Sequence, residues 1–185
     1  MDKQSTNQSH DLSTYSRVQD DSERAQGLEV GYFAGGCFWG TEAEFKQVPG
    51  VVATTVGYTG GITKNPTYEK VCAHDTKHAE TVRVVFDPKK ISYERLVGEF
   101  LKLHDPTTLN RQGPDIGDQY RSAIFFANNN QKKEAQAAID AELKTKGSNY
   151  RIVTSLEQFD TFYTAEDYHQ DYFQKNGGGA CHVRH

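Results

Sequence analysis

The sequence predicts an α+β layer sandwich with a mixed or antiparallel sheet, and three observations carry that prediction. Strand-like apolar runs alternate with runs at helical spacing, in the rough order β-α-β-β-α-β-α-β-α. That order contains the β-α-β-β-α-β arrangement of a ferredoxin-like core. The 185 residues include ten Phe, ten Tyr and one Trp, enough large apolar surface for one core. Two domains would be crowded in that length.

Residues 1–26 are polar, rich in Ser, Gln and Asp, and lack an apolar period, so they read as a flexible or loosely packed N-terminal extension. Residues 27–185 read as a single domain. Leu28 to Phe38 reads as a strand running into the corner Gly35-Gly36-Cys37-Phe38-Trp39-Gly40. A helix starting at Phe38 or Trp39 ends near Val48-Pro49-Gly50, because proline and glycine stop it. Val51 to Tyr58 is β-branched and strand-like, and Gly60-Gly61 breaks it. Ile62 to Asp75 reads as a loop carrying Tyr68 and Cys72.

His78 to Asp87 alternates as a strand, with Glu80, Val82, Val84 and Phe86 on one face. Ser92 caps a helix over Tyr93 to Leu103, and Asn128 to Lys146 forms another, stopped by Gly147. Between them lie a long loop, His104 to Asp118, and a strand, Tyr120 to Ala127. Loops of that length in a compact domain are usually functional. Ile152 to Leu156 is the final strand and Ala165 to Gln174 a short aromatic helix. A flexible glycine-rich tail, Gly177-Gly178-Gly179, then leads to Cys181.

The net charge of -4 argues against a nucleic-acid or anionic-membrane surface. No apolar run has membrane-spanning length, and the N-terminus lacks the apolar stretch of a signal peptide. Three cysteines without a C-x-x-C are too few for a disulfide scaffold. A reducing cytoplasm is therefore the expected compartment, with any disulfide catalytic rather than structural.

Cys37 follows two glycines and precedes a helix, so its sulfur is expected near unpaired amides that favour a thiolate. Phe38 and Trp39 beside it supply an aromatic wall for a soft, apolar reaction centre. The same residues also read as a buried corner with an inert thiol. Glu80 shares its face with valine and phenylalanine and should point inward, where burial raises a carboxyl pKa. A Glu paired with Lys77 or Arg83 is the alternative. Asp115 suits a turn, and Tyr68 and Tyr120 are phenols able to donate hydrogen bonds or fill the core. Cys72, His74 and His78 offer three metal ligands where structural zinc takes four, so neither metal nor cofactor is expected. The six residues Asn176 to Cys181 span roughly 20 Å when extended, enough to carry one sulfur to another site.

Several segments together resemble one family. They are Gly35 to Gly40; His104-Asp105-Pro106-Thr107; Asn110 to Gly113; Asp115 to Ser122; and Phe162 to Gln170. In order and spacing they resemble peptide methionine sulfoxide reductase of the A type. The resemblance implies an α+β fold and reduction of the S epimer of methionine sulfoxide, free or in oxidised proteins, with thioredoxin as reductant. It implies Cys37 as nucleophile, Phe38 and Trp39 around the substrate methyl group, and Glu80 as the acid. Tyr68, Asp115 and Tyr120 would complete the pocket, and Cys181 would resolve the intermediate as a Cys37–Cys181 disulfide, leaving Cys72 a bystander. A monomer is expected. Lys77 stands where relatives often carry glycine, and the tail has one recycling cysteine where many relatives have two. A cysteine hydrolase or a methionine-binding module are rival readings, but both leave Glu80 and the tail thiol unexplained.

Overall fold

The computed structural model describes residues 12–178, with side chains described from residue 19 onward. In chain order the elements are α1 (Leu12–Ala25), β1 (Glu29–Gly35), α2 (Phe38–Phe45), β2 (Val51–Thr59), α3 (Tyr68–Cys72), β3 (Ala79–Phe86) and α4 (Tyr93–Leu103). They continue with β4 (Arg111–Gln112), β5 (Asp115–Ile116), β6 (Ser122–Phe126), α5 (Asn129–Lys146), β7 (Ser155–Gln158), β8 (Phe162–Thr164) and α6 (Tyr172–Asn176).

Among the described residues a six-stranded sheet runs in the order β7-β6-β1-β3-β2-β8. Its four central strands, β6-β1-β3-β2, pair with one another antiparallel. With α2 and α4 as the connections, they form the expected β-α-β-β-α-β core. β7 extends one edge in parallel and β8 the other antiparallel, which makes the sheet mixed.

Alternation sorts the strands onto two faces. Phe33, Val82, Val84 and Phe86 pack under Phe45, Leu96, Phe100 and Ile139 from α2, α4 and α5. Tyr32, Ala34, Val85 and Phe125 form the other cluster, with Phe162 and Phe159. β3 is buried along its whole length, as the centre of a sheet covered on both faces must be. Caps fix the long helices: the Ser92 hydroxyl accepts from the Arg95 amide at 3.1 Å and Asn128 Oδ1 from the Gln131 amide at 2.9 Å. Among the described residues no helix is long and apolar enough to cross a membrane.

Four local expectations are corrected. The polar N-terminal extension is helical over Leu12–Ala25. It is tied down by polar contacts, which apolar periodicity does not register. Asp20, 4% exposed, meets the buried Arg83 at 2.6 Å and accepts from the Tyr32 hydroxyl at 2.5 Å. The supposed loop 62–75 contains α3, capped by the Thr67 hydroxyl. The last strand of the core lies at Ser155–Gln158 rather than 152–156, where it pairs with β6. The expected helix 165–174 is instead a 3₁₀ turn at Asp167–His169 followed by the short α6, because Asp171 between them takes a left-handed φ of 56°.

Candidate active site

The site forms where β1 ends and β3 begins. Gly36 has φ 90°, a left-handed conformation that favours glycine, and it turns the chain out of the sheet. Cys37 then sits at the N-cap of α2, half-buried, and the amides of the first turn face that end. Thr41 fastens this corner by donating to the Gly35 carbonyl at 3.1 Å and the Cys37 carbonyl at 3.2 Å.

Glu80 lies one residue into β3 and is 2% exposed. The Phe38 amide donates to its Oε1 at 3.2 Å, while Oε2 has no hydrogen-bond partner among the described residues. Burial, reinforced by the charge of Asp115, pushes its pKa up to about 8, against the opposing pull of the Phe38 amide. Glu80 is therefore a carboxylic acid at neutral pH. With Oε1 occupied as an acceptor, the proton belongs on Oε2, which is left able to donate.

Phenols surround this carboxyl group. Tyr58 stands beside Glu80 in the β2–β3 register, and its ring packs at 5.7 Å from Phe38. Burial holds the Tyr58, Tyr68 and Tyr120 hydroxyls above the ordinary tyrosine range, so all three remain protonated donors. Asp115 and Glu80 both act on Tyr120, as do Cys37 and Cys72. The fold thus brings Cys37, Phe38, Trp39, Glu80, Tyr68, Asp115 and Tyr120 to one end of the sheet. Cys181 lies outside the described residues.

Cys72 closes α3 next to this group. Burial raises the Cys72 pKa, and an interaction with the Tyr68 side chain opposes that rise. The neighbouring histidines are engaged elsewhere: His78 Nδ1 accepts from the Gly61 amide at 3.0 Å and Nε2 faces the Thr63 carbonyl at 2.7 Å. His74 lies 3.7 Å from Asp118.

Four further residues were not singled out from the sequence. The indole N–H of Trp39 donates to Nδ1 of His169, fully buried, at 3.0 Å. The Tyr58 hydroxyl and the Tyr68 amide donate to Glu166, whose Oε2 lies 3.2 Å from His169 Nε2. Burial pulls His169 below its ordinary pKa despite that carboxylate, which fits a ring accepting at Nδ1. Tyr172 stacks on Trp39 with ring centres 3.7 Å apart. The segment Phe162 to Gln170 flagged this region, but nothing in its spacing tied His169 or Glu166 to Trp39.

Residues 29–185 match the family model described as peptide methionine sulfoxide reductase. The "Peptide methionine sulfoxide reductase MsrA" of Methanosarcina acetivorans is 57% identical over 152 residues, covering 82% of this chain and 81% of that protein. The crystal structure of Mxr1 from Saccharomyces cerevisiae in reduced form superposes with a TM-score of 0.79 at 38% identity, covering 86% of this chain and 93% of that one. Mxr1 in complex with Trx2 gives a TM-score of 0.56 at 26% identity, covering 86% and 91%. This chain belongs to the A-type peptide methionine sulfoxide reductase family and is an oxidoreductase acting on a sulfur group.

Proposed function

We propose that the protein reduces the S epimer of methionine sulfoxide through Cys37, using Glu80 as the proton donor. The observation that carries this reading is the buried Glu80, held through Oε1 by the amide of the residue after Cys37, in surroundings that push its pKa up to about 8. A sulfoxide sulfur is a poor electrophile until its oxygen takes a proton. Oε2 supplies that proton as the Cys37 thiolate attacks, and the positive end of α2 favours the anion. Tyr68 and Tyr120 donate hydrogen bonds to the same oxygen, and Phe38 and Trp39 hold the methyl group. Asp115 reinforces the raised pKa of Glu80.

The oxygen passes from the substrate to Cys37, leaving methionine and a sulfenic acid. The Cys181 thiol condenses with that sulfenic acid, forming a Cys37–Cys181 disulfide and water. A dithiol then opens the disulfide and carries away the two electrons' worth of oxidation. Thioredoxin fills this role in the proposal, supported by the similarity to Mxr1 in complex with Trx2. Free and protein-bound methionine sulfoxide are the proposed substrates, which makes the activity one of repair.

The test mixes reduced protein with racemic methionine sulfoxide and a dithiol, then resolves the remaining epimers by chiral chromatography. Loss of the S epimer with stoichiometric methionine supports the reading. Loss of the R epimer alone, or binding without turnover, contradicts it.

A further inference from the structure

One face of α2 is read three times by two consecutive residues of the C-terminal segment. Trp39, Glu42 and Lys46 recur at spacings of three and four, so they form a single stripe along the helix. Tyr172 stacks on Trp39 at 3.7 Å with the rings 6° from parallel. The Asp171 amide donates to Glu42 Oε2 at 3.0 Å, and the Asp171 carboxylate pairs with Lys46. Glu42 is 1% exposed, and its other oxygen accepts from the Thr54 hydroxyl at 2.9 Å and lies 3.8 Å from Lys46.

The turn that these contacts hold is not one the chain adopts readily. Asp171 has a left-handed φ of 56°, a region uncommon for any residue but glycine, although Asp tolerates it better than most. On its other side, the Gln170 side chain bridges the amide and carbonyl of Val56, both at 2.9 Å. Gln170 thus belongs to β2 and Tyr172 to α2, and the sharp turn between them is fastened at Glu42. Without that acceptor, the part-buried Asp171 amide loses its partner and the turn can relax away from α2.

We propose that Glu42 is a positioning residue: by fastening the Asp171 turn it keeps Tyr172 stacked on Trp39 and so holds the indole where the substrate's methyl group binds. The role of Trp39 in this statement rests on the function proposed above. The stack itself does not, and Trp39 is the one tryptophan in the chain, so its fluorescence reports on it directly.

The experiment compares the wild type with Glu42→Met, which matches the side chain in length but removes both acceptors, and with Glu42→Gln, which keeps an acceptor. In the full reduced chain, Glu42→Met is expected to red-shift Trp39 emission and increase its quenching by acrylamide. With free methionine-S-sulfoxide and dithiothreitol, its KM should rise about tenfold, the value of one hydrogen bond to a charged group. The kcat should change by less than about twofold, as for loss of uniform binding. Glu42→Gln should restore most of both properties. A folded Glu42→Met protein with unchanged emission and KM overturns the proposal, as does a Glu42→Gln protein no better than Glu42→Met. If Glu42→Met does not fold, Glu42→Asp, which withdraws the carboxylate by one methylene, must show the same changes in smaller measure. If the wild type itself leaves the sulfoxide untouched, the function reading fails, while the emission comparison still decides the role of Glu42.

Discussion

The amide of Phe38 donates to Oε1 of Glu80 across 3.2 Å, tying the residue after Cys37 to the start of the central strand. The proposed nucleophile and the proposed acid are therefore coupled through one peptide unit. The bond also decides which carboxyl oxygen stays open, since Oε2 has no partner among the described residues.

Cys37→Ser should abolish sulfoxide reduction even with excess dithiothreitol. A serine hydroxyl is scarcely ionised at neutral pH and has no sulfenic state. Methionine release is the readout, and appreciable turnover would assign the nucleophile elsewhere.

Cys181→Ser should separate chemistry from recycling. The variant is expected to release one methionine per protein and then stall with thioredoxin, whose dithiol needs a disulfide to attack. A small thiol should restore turnover by reaching Cys37 directly. Cys72→Ser should keep thioredoxin-supported turnover, although Cys72 interacts with Tyr68 beside the site. Peptide mass analysis after one turnover should give a Cys37–Cys181 bond; a Cys37–Cys72 bond would reverse the assignment.

Asp20→Asn should destabilise the fold without disturbing the chemistry. Asp20 is 4% exposed and Arg83 2% exposed, so the change leaves a buried cation without its counter-ion. Breaking such a pair from one side costs about 3–5 kcal/mol. Urea unfolding measures the loss, and a midpoint equal to the wild type's would mean that α1 contributes nothing to the sheet.

Glu80 also links stability to pH. Its pKa rises from 4.5 to about 8 on folding, so between those values the native state binds the extra proton. Stability from this group is complete below pH 4.5 and is lost as the pH climbs through about 8. Glu80→Gln should flatten that part of the stability profile, as read by denaturant midpoints across the range.

The regular parts of the fold were legible because their signals are local. Ser92 and Asn128 announce α4 and α5, and simple alternation turns Glu80 inward from β3. α1 was hidden, because its anchor is an ion pair with Arg83, 63 residues away in sequence, rather than an apolar stripe. Lys77 stands where relatives often carry glycine, and it takes φ 59°, where glycine would be at ease, 3.4 Å from Asp118. In the site, Cys37, Phe38 and Trp39 are consecutive and easily noticed. His169 reaches Trp39 across 130 residues, and Tyr58 reaches Glu166 across 108. No periodicity encodes such pairs. Tyr172 was read as part of a continuous helix, whereas the left-handed Asp171 before it is what turns its ring onto Trp39.

The most direct test of the central claim is the pH dependence of the first turnover, wild type against Glu80→Gln. Methionine release would be followed by rapid quench, with enzyme in excess and recycling excluded. The wild-type rate is expected to fall as pH rises through about 8, where Glu80 gives up its proton. Glu80→Gln should be slower by about 10²–10⁴-fold and lack that step. A variant with the wild-type rate, or one retaining the same step near pH 8, would contradict the assignment of Glu80 as the acid.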